Sequence, residues 1–215
     1  MIRFDYLTDP LEIERRSFVQ IQELTDLSRF DPDQQQVAMR LVHTSGDPDI
    51  VNDLDFSPGA VAAGVVALQR GARVLCDVEM VRQGISKRYV KGEILCFLDS
   101  EVVGECAPPR GETRTMAAVA RWSEHLAGNI VAIGNAPTAL FRLLEMLYEG
   151  APRPALIIGM PVGFISARES KQALLDHAPG QLQIPCITLQ GRRGGSTLTA
   201  AAVNALARLA QGIRY

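Results

Sequence analysis

From about residue 73 onward one pattern recurs: a short apolar run, a turn holding Gly or Pro, then a helical stretch. That alternation restricts the chain to an α/β architecture. Parallel strands need a long crossover, and the crossover is usually a helix. The candidate strands are Arg73–Cys76, Glu93–Leu98, Asn129–Ile133, Ala155–Gly159 and Cys186–Leu189. Several are apolar at consecutive positions, as strands covered on both faces should be. The expected fold is a three-layer α/β arrangement: a mainly parallel five-stranded sheet with helices on both faces. The first 45 residues carry two helical patterns and no strand pattern, so an N-terminal helical extension packed on the sheet is expected. Helix starts are marked by Asp31-Pro32 and Ser57-Pro58, each a capping side chain before a proline, and by Ser166-Ala167-Arg168-Glu169, which reads as a capping box. The Ala-rich stretch from Thr197 to Ala210 ends before Gly212. No repeat or linker divides residues 1–215, which read as a single domain.

Composition matters mainly for what it excludes. Lys and Arg total 22 against 24 Asp and Glu, a formal charge of -2, so the basic surplus of a nucleic-acid binder is missing. The longest uncharged stretches, such as Ser57–Gln69, are too short and too rich in Gly and Ala to span a bilayer. The opening MIRFDYLTDP carries acids where a signal peptide has an apolar core. A cytoplasmic protein with no membrane and no nucleic-acid partner is expected. The cysteines Cys76, Cys96, Cys106 and Cys186 show no metal-ligand spacing and sit mostly among apolar neighbours. They read as buried thiols, with no metal site. Neither GxGxxG, GxxxxGK[ST] nor HExxH occurs.

Ligands of open α/β sheets bind beyond the carboxyl ends of the strands. Three such ends run into Gly134-Asn135-Ala136-Pro137-Thr138, Met160-Pro161-Val162-Gly163-Phe164 and Gln190-Gly191-Arg192-Arg193-Gly194-Gly195-Ser196-Thr197. Each joins a Gly- or Pro-bearing turn to a helix start, whose free N–H groups suit an anion. Gly and Pro also simply turn a chain. Three such loops on one edge, with Lys171, Arg192 and Arg193 nearby, point to an anionic ligand. Arginine forks take carboxylates as readily as phosphates, so the residues alone leave a polycarboxylate and a nucleotide both open. Of the histidines, His125 and His177 sit towards helix ends in capping or surface roles. His43 closes the helix begun at Asp31-Pro32. The negative end of that helix, with Asp47 and Asp49, is expected to favour the imidazolium and suit a general acid. A capping histidine satisfies the same pattern.

At these residues the sequence resembles the precorrin-8X methylmutase family of cobalamin biosynthesis. The matching stretches are Ile13-Glu14-Arg15-Arg16-Ser17-Phe18, Val42-His43-Thr44-Ser45-Gly46-Asp47, Cys76-Asp77-Val78-Glu79-Met80-Val81 and Thr113-Arg114-Thr115. They continue through Ile133-Gly134-Asn135-Ala136-Pro137-Thr138-Ala139-Leu140, Pro161-Val162-Gly163-Phe164, Glu169-Ser170-Lys171 and Gly191-Arg192-Arg193-Gly194-Gly195-Ser196. The resemblance implies an isomerase that moves a methyl group from C11 to C12 of precorrin-8X, or of cobalt-precorrin-8, giving hydrogenobyrinic acid or its cobalt counterpart. The step is an acid-assisted [1,5]-sigmatropic shift without a cofactor. The resemblance places the catalytic histidine at His43 and implies a homodimer. It implies substrate contacts from Ser17, Arg114, Gly134, Asn135, Ala136, Thr138, Lys171, Arg192, Arg193, Gly194, Gly195 and Ser196, directed at the acetate and propionate arms of the macrocycle. Two other readings compete: a corrinoid carrier that needs no His43, and an α/β enzyme holding a phosphorylated metabolite on the Gly191–Thr197 loop.

Overall fold

The computed structural model describes residues 3–98 and 111–215. Among these, strands β1 (Leu54–Phe56), β2 (Val74–Cys76), β3 (Ile94–Cys96), β4 (Ile130–Ile133), β5 (Leu156–Gly159) and β6 (Cys186–Leu189) form one sheet in the order β1-β6-β5-β4-β2-β3. Strands β2 to β6 are parallel, and β1 lies antiparallel on β6 with Leu54 opposite Leu189. All five expected strands form. The sheet gains a sixth, β1, which sequence reasoning does not include. Leu54-Asp55-Phe56 has no apolar run of its own, and its pairing with β6 makes it a strand.

Successive strand residues enter two different cores. Val74, Cys76, Ile130, Ala132, Leu156, Ile158, Ile187 and Leu189 face helices α1 (Pro10–Leu24), α2 (Pro32–Ser45), α3 (Ala60–Gln69), α4 (Glu79–Gly84) and the helix that follows β6. Leu75, Val131, Ile133, Ile157 and Cys186 face α5 (Arg114–Val119), α6 (Pro137–Tyr148) and α7 (Ala167–His177). Burial on both sides is why the strands are apolar at consecutive positions. The helix after β6, α8 (Ser196–Ala210), contributes small Ala200, Ala201, Ala202, Ala205 and Ala207 to the first core, where α2, α3 and α4 pack on it. The two expected N-terminal helices are α1 and α2, and α2 carries the expected cap. Asp31 and Gln34 form a reciprocal capping box, and Gly46 closes the helix at φ 68°.

Two other expected starts are built differently. The Ser57 hydroxyl accepts the Cys186 N–H at 2.7 Å, so it completes the β6 end of the sheet, and α3 starts after Gly59. Ser166 lies in the left-handed region at φ 61° and makes no capping bond. A capping box needs an extended residue there, so the Ser166–Glu169 box is absent. Cys76 and Cys186 are buried and Cys96 is half-buried, with burial pushing all three thiols up in pKa. Cys106 lies outside the described residues.

Strands β3 and β4 flank β2 on opposite sides, so the chain reverses its direction of winding between β2 and β4. At the carboxyl ends of such a pair lies the usual ligand crevice. Here it holds Asp77, which follows β2 and is only 1% exposed. Its Oδ1 accepts the Gly134 N–H at 3.0 Å, and its Oδ2 accepts those of Asn135 and Ala136 at 2.8 and 2.9 Å. Burial raises the Asp77 pKa, and the three donors oppose that rise. Replacing Asp77 with Asn removes the charge and turns an amide N–H₂ toward donors. The expected loss is at least about 2 kcal/mol of stability, the scale of charged hydrogen bonds, read as a lower urea midpoint at unchanged slope. An unchanged midpoint contradicts this role.

Candidate active site

The loop after β4 meets two neighbours. Thr138, near the start of α6, places its Oγ1 3.0 Å from that of Thr113 and 3.5 Å from that of Thr115. Thr113 caps α5 by accepting the Met116 N–H at 3.2 Å. Arg114, exposed at the first position of α5, donates from its Nη2 to the Leu98 carbonyl at 3.4 Å. Gly134 packs on the start of α8. A Cβ there would lie 2.8 Å from Ser196 Cα and 2.7 Å from Thr199 Oγ1. The expectation that Gly134, Asn135 and Ala136 offer N–H groups to a ligand is corrected by Asp77, which already accepts all three. This loop presents the exposed Asn135 side chain and Thr138 instead.

The loop after β6 is fastened from below. Gly195 N–H donates to the Met160 carbonyl at 2.8 Å, and Gly163 N–H to the Arg192 carbonyl at 3.3 Å. Gly194, at φ 154°, passes so close to the Met160 carbonyl that a Cβ would overlap it. Helix α8 then begins at Ser196 without a side-chain cap, which leaves the N–H groups of its first turn open to an anion. Lys171 was expected to hold a ligand arm. It is only 1% exposed, and its Nζ donates to the Arg193 carbonyl at 2.6 Å, so it supports the loop from within. Burial lowers its pKa to about 8, against a smaller opposing effect of Asp53. The Arg193 guanidinium lies 3.4 Å from both Asp47 and Asp53. Arg192 is exposed, with its guanidinium 5.7 Å from the centre of the exposed Phe164 ring. Arg168, Arg192 and Arg193 line a cleft of about 550 Å³ with Asp49, Asn52, Asp53 and Gly191.

His43 stands on the last turn of α2 and lines a groove of about 280 Å³ with Ser17, Gln20, Ile21, Leu24, Val42, Gly46 and Pro48. The structure therefore brings His43 and Ser17 together. The Ser17 hydroxyl donates to the Ile13 carbonyl at 2.7 Å, within its own helix. The groove and the arginine cleft flank the same 3₁₀ turn, Pro48–Asp53. The expected upward pKa shift of His43 is corrected: desolvation lowers it, Arg40 lowers it further, and Glu14 acts the other way. Asp47 faces Arg193 and caps the Asp49 N–H. The closing carbonyls of α2 take the Thr44 and Ser45 hydroxyls and the Gly46 N–H, which quiets the helix end. His125 and His177 serve elsewhere. His125 stacks on Phe97, and His177 hydrogen-bonds Tyr148 at 2.7 Å.

A family model described as precorrin-8X methylmutase matches residues 12–209. The chain belongs to the precorrin-8X methylmutase family. This is a family of intramolecular methyl-shifting isomerases in cobalamin biosynthesis. The chain is 47% identical over 205 residues to the precorrin-8X methylmutase of Pseudomonas aeruginosa, an alignment covering 94% of this chain and 97% of that one. It is 39% identical over 210 residues to the cobalt-precorrin-8 methylmutase of Priestia megaterium, covering 96% and 91%. Its fold matches the crystal structure of the Thermus thermophilus precorrin-8X methylmutase with a TM-score of 0.82 and 39% identity, covering 93% of this chain and 98% of that one. Among the described residues, no His, Cys, Asp or Glu cluster could hold a metal, and no helix is long and apolar enough to cross a membrane.

Sequence reasoning assigned no role to Asp77 and none to the pairing of Arg193 with Asp47. The available signal for Asp77 was a charge set directly after the apolar run Val74-Leu75-Cys76. Lys171 yields a sign-specific test. Its folded pKa of about 8 lies below the ordinary 10.5, so between those values the unfolded chain binds more protons and stability rises with pH. Lys171→Met removes that contribution. Urea melts from pH 8 to 10.5 should show a flatter rise in the variant than in the parent, and parallel curves contradict the assignment.

Proposed function

We propose that this chain converts precorrin-8X to hydrogenobyrinic acid by migration of the C11 methyl group to C12, with His43 as general acid. The single observation that carries the reading is where His43 stands. It lines a largely apolar groove separated by one 3₁₀ turn from an arginine-lined cleft, as a flat macrocycle edged with carboxylates requires. The groove takes the ring. Arg192, Arg193, Arg114, Asn135, Thr138 and the first turn of α8, with Gly194, Gly195 and Ser196, attract its acetate and propionate arms. Ser17 lines the groove beside His43.

His43 delivers a proton near ring C, the positive charge spreads through the conjugated system, the methyl group shifts, and the proton returns to the imidazole. The rearrangement gains and loses no electrons, so the chemistry calls for no redox cofactor. The higher identity to the relative named for precorrin-8X favours the metal-free substrate over cobalt-precorrin-8. The family match and the relatives named as methylmutases support this reading over a phosphometabolite enzyme built on the Gly191–Thr197 loop. Cytoplasmic residence and a homodimer complete the proposal. Exposed apolar side chains near the start of the chain, Phe4, Tyr6 and Leu11, support the dimer reading. Sedimentation at micromolar concentration should give twice the chain mass, and a strict monomer removes the dimer.

The deciding experiment replaces His43 with Asn. Turnover of precorrin-8X, followed by absorption, should fall about 100- to 10,000-fold, the usual contribution of one acid–base group. The protein should stay folded and still bind product. Near-native turnover overturns the proposal, and retained function would be that of a carrier. The pH profile adds a sign. The folded His43 pKa lies below the ordinary 6.5, and rising pH removes the acid form. The free-enzyme profile of kcat/KM should therefore fall with increasing pH, with its midpoint below 6.5. A profile that rises through this range contradicts a histidine acid.

A further inference from the structure

The imidazole of His43 belongs to a stack of rings. It lies nearly parallel to Phe18, with centroids 5.1 Å apart and planes 11° apart. Phe18 also stacks on Tyr215, at 3.8 Å and 16°. The Arg208 guanidinium sits 4.5 Å from the Tyr215 centroid. The four groups come from α1, α2, α8 and the segment after α8. Each is anchored separately. Phe18 is only 4% exposed. The Tyr215 N–H donates to Gln36 on α2 at 2.7 Å, and Arg208 pairs with Glu14 on α1 at 3.4 Å. Ring packing and these polar anchors together set the positions of Phe18 and Tyr215.

An exposed histidine on a last helical turn has a broad χ2 preference and turns freely. An acid that must meet one position of a bound macrocycle cannot use that freedom, because a misplacement of about 1 Å costs about 100-fold. The described residues give the His43 ring a parallel aromatic neighbour in Phe18, whose own position Tyr215 and Arg208 secure. We propose that Phe18, supported by Tyr215, is a positioning residue that fixes the plane of the His43 ring toward the groove. The inference rests on His43 being the proton donor, and it adds what aims the donor.

The test measures kcat and KM for precorrin-8X with Phe18→Leu, Phe18→Tyr, His43→Asn and the Phe18→Leu/His43→Asn double variant, together with His43 ring-proton shifts by NMR. Phe18→Leu should lower kcat about 10- to 100-fold at nearly unchanged KM, and the His43 ring protons should lose the ring-current shift of a stacked neighbour. Phe18→Tyr should restore most of the rate. In the His43→Asn background, Phe18→Leu should cost nothing further. A native kcat in Phe18→Leu, a loss carried by KM, or an undiminished loss in the double variant overturns the inference while leaving His43 in place. Near-native turnover in His43→Asn overturns the acid reading, and this inference with it. If Phe18→Leu does not fold, Tyr215→Leu carries the same comparison, with a smaller loss of kcat at constant KM expected and an unchanged kcat overturning the proposal.

Discussion

The carboxylate of Asp77, closed off from water at the turning point of the sheet, sets the frame on which the remaining loops are placed. Isolated, such a charge costs several kcal/mol to bury. Here three backbone N–H groups from one loop converge on it, and each charge-assisted bond contributes on the order of 1.5–3 kcal/mol. The arrangement ties the end of β2 to the loop after β4. That loop in turn seats Gly134 against Ser196 at the start of α8, with no space for a side chain between them. Gly195, one residue earlier, bonds to Met160 after β5. Four strand ends are thus linked in register through one buried acid and two close backbone approaches.

A second set of contacts fixes the cationic loop, and magnitudes show which member matters. The Arg193 pairs with Asp47 and Asp53 are partly exposed, at 3.4 Å. Pairs of that kind are worth about 0–1 kcal/mol. The Lys171 bond to the Arg193 carbonyl is shorter, from a side chain almost wholly enclosed. Removing the lysine head would leave the Arg193 carbonyl without that donor. The position of the loop therefore depends on Lys171, while the Arg193 side chain can change partners at small cost. A guanidinium that stays exchangeable is well suited to meet an incoming carboxylate.

The parts of the structure that were legible in the sequence share one property: a single local cause decides them. Strands β2 to β6 are covered on both faces, so their apolar runs declare them. The α2 cap needs only Asp31, Pro32 and Gln34. Strand β1 was not legible because Asp55 breaks its run and β6 supplies its hydrogen bonds. Ser57 and Ser166 look like caps in sequence, yet one hydroxyl is claimed by Cys186 and the other residue takes a left-handed turn. At the candidate site, the sequence shows which loops hold donors, but not that Asp77 has taken those of one loop. His43 was found through its helix end and the family resemblance. Its pKa direction was not legible because desolvation by the tertiary packing, followed by Arg40 nearby, outweighs the helix end.

The self-occupied crevice also bears on selectivity. In other sheets of this winding, the helix start at the turning point is where a phosphate sits. Here the Asp77 carboxyl group already occupies the backbone donors at that position, so inorganic phosphate and nucleotides find no free N–H groups there. Recognition shifts to side chains and to the start of a later helix, spread along a wide edge. A compact anion can satisfy only a fraction of that edge at once. A broad molecule with many separate carboxylates can satisfy much more of it, so the geometry sorts ligands by the spacing of their charges rather than by their total charge.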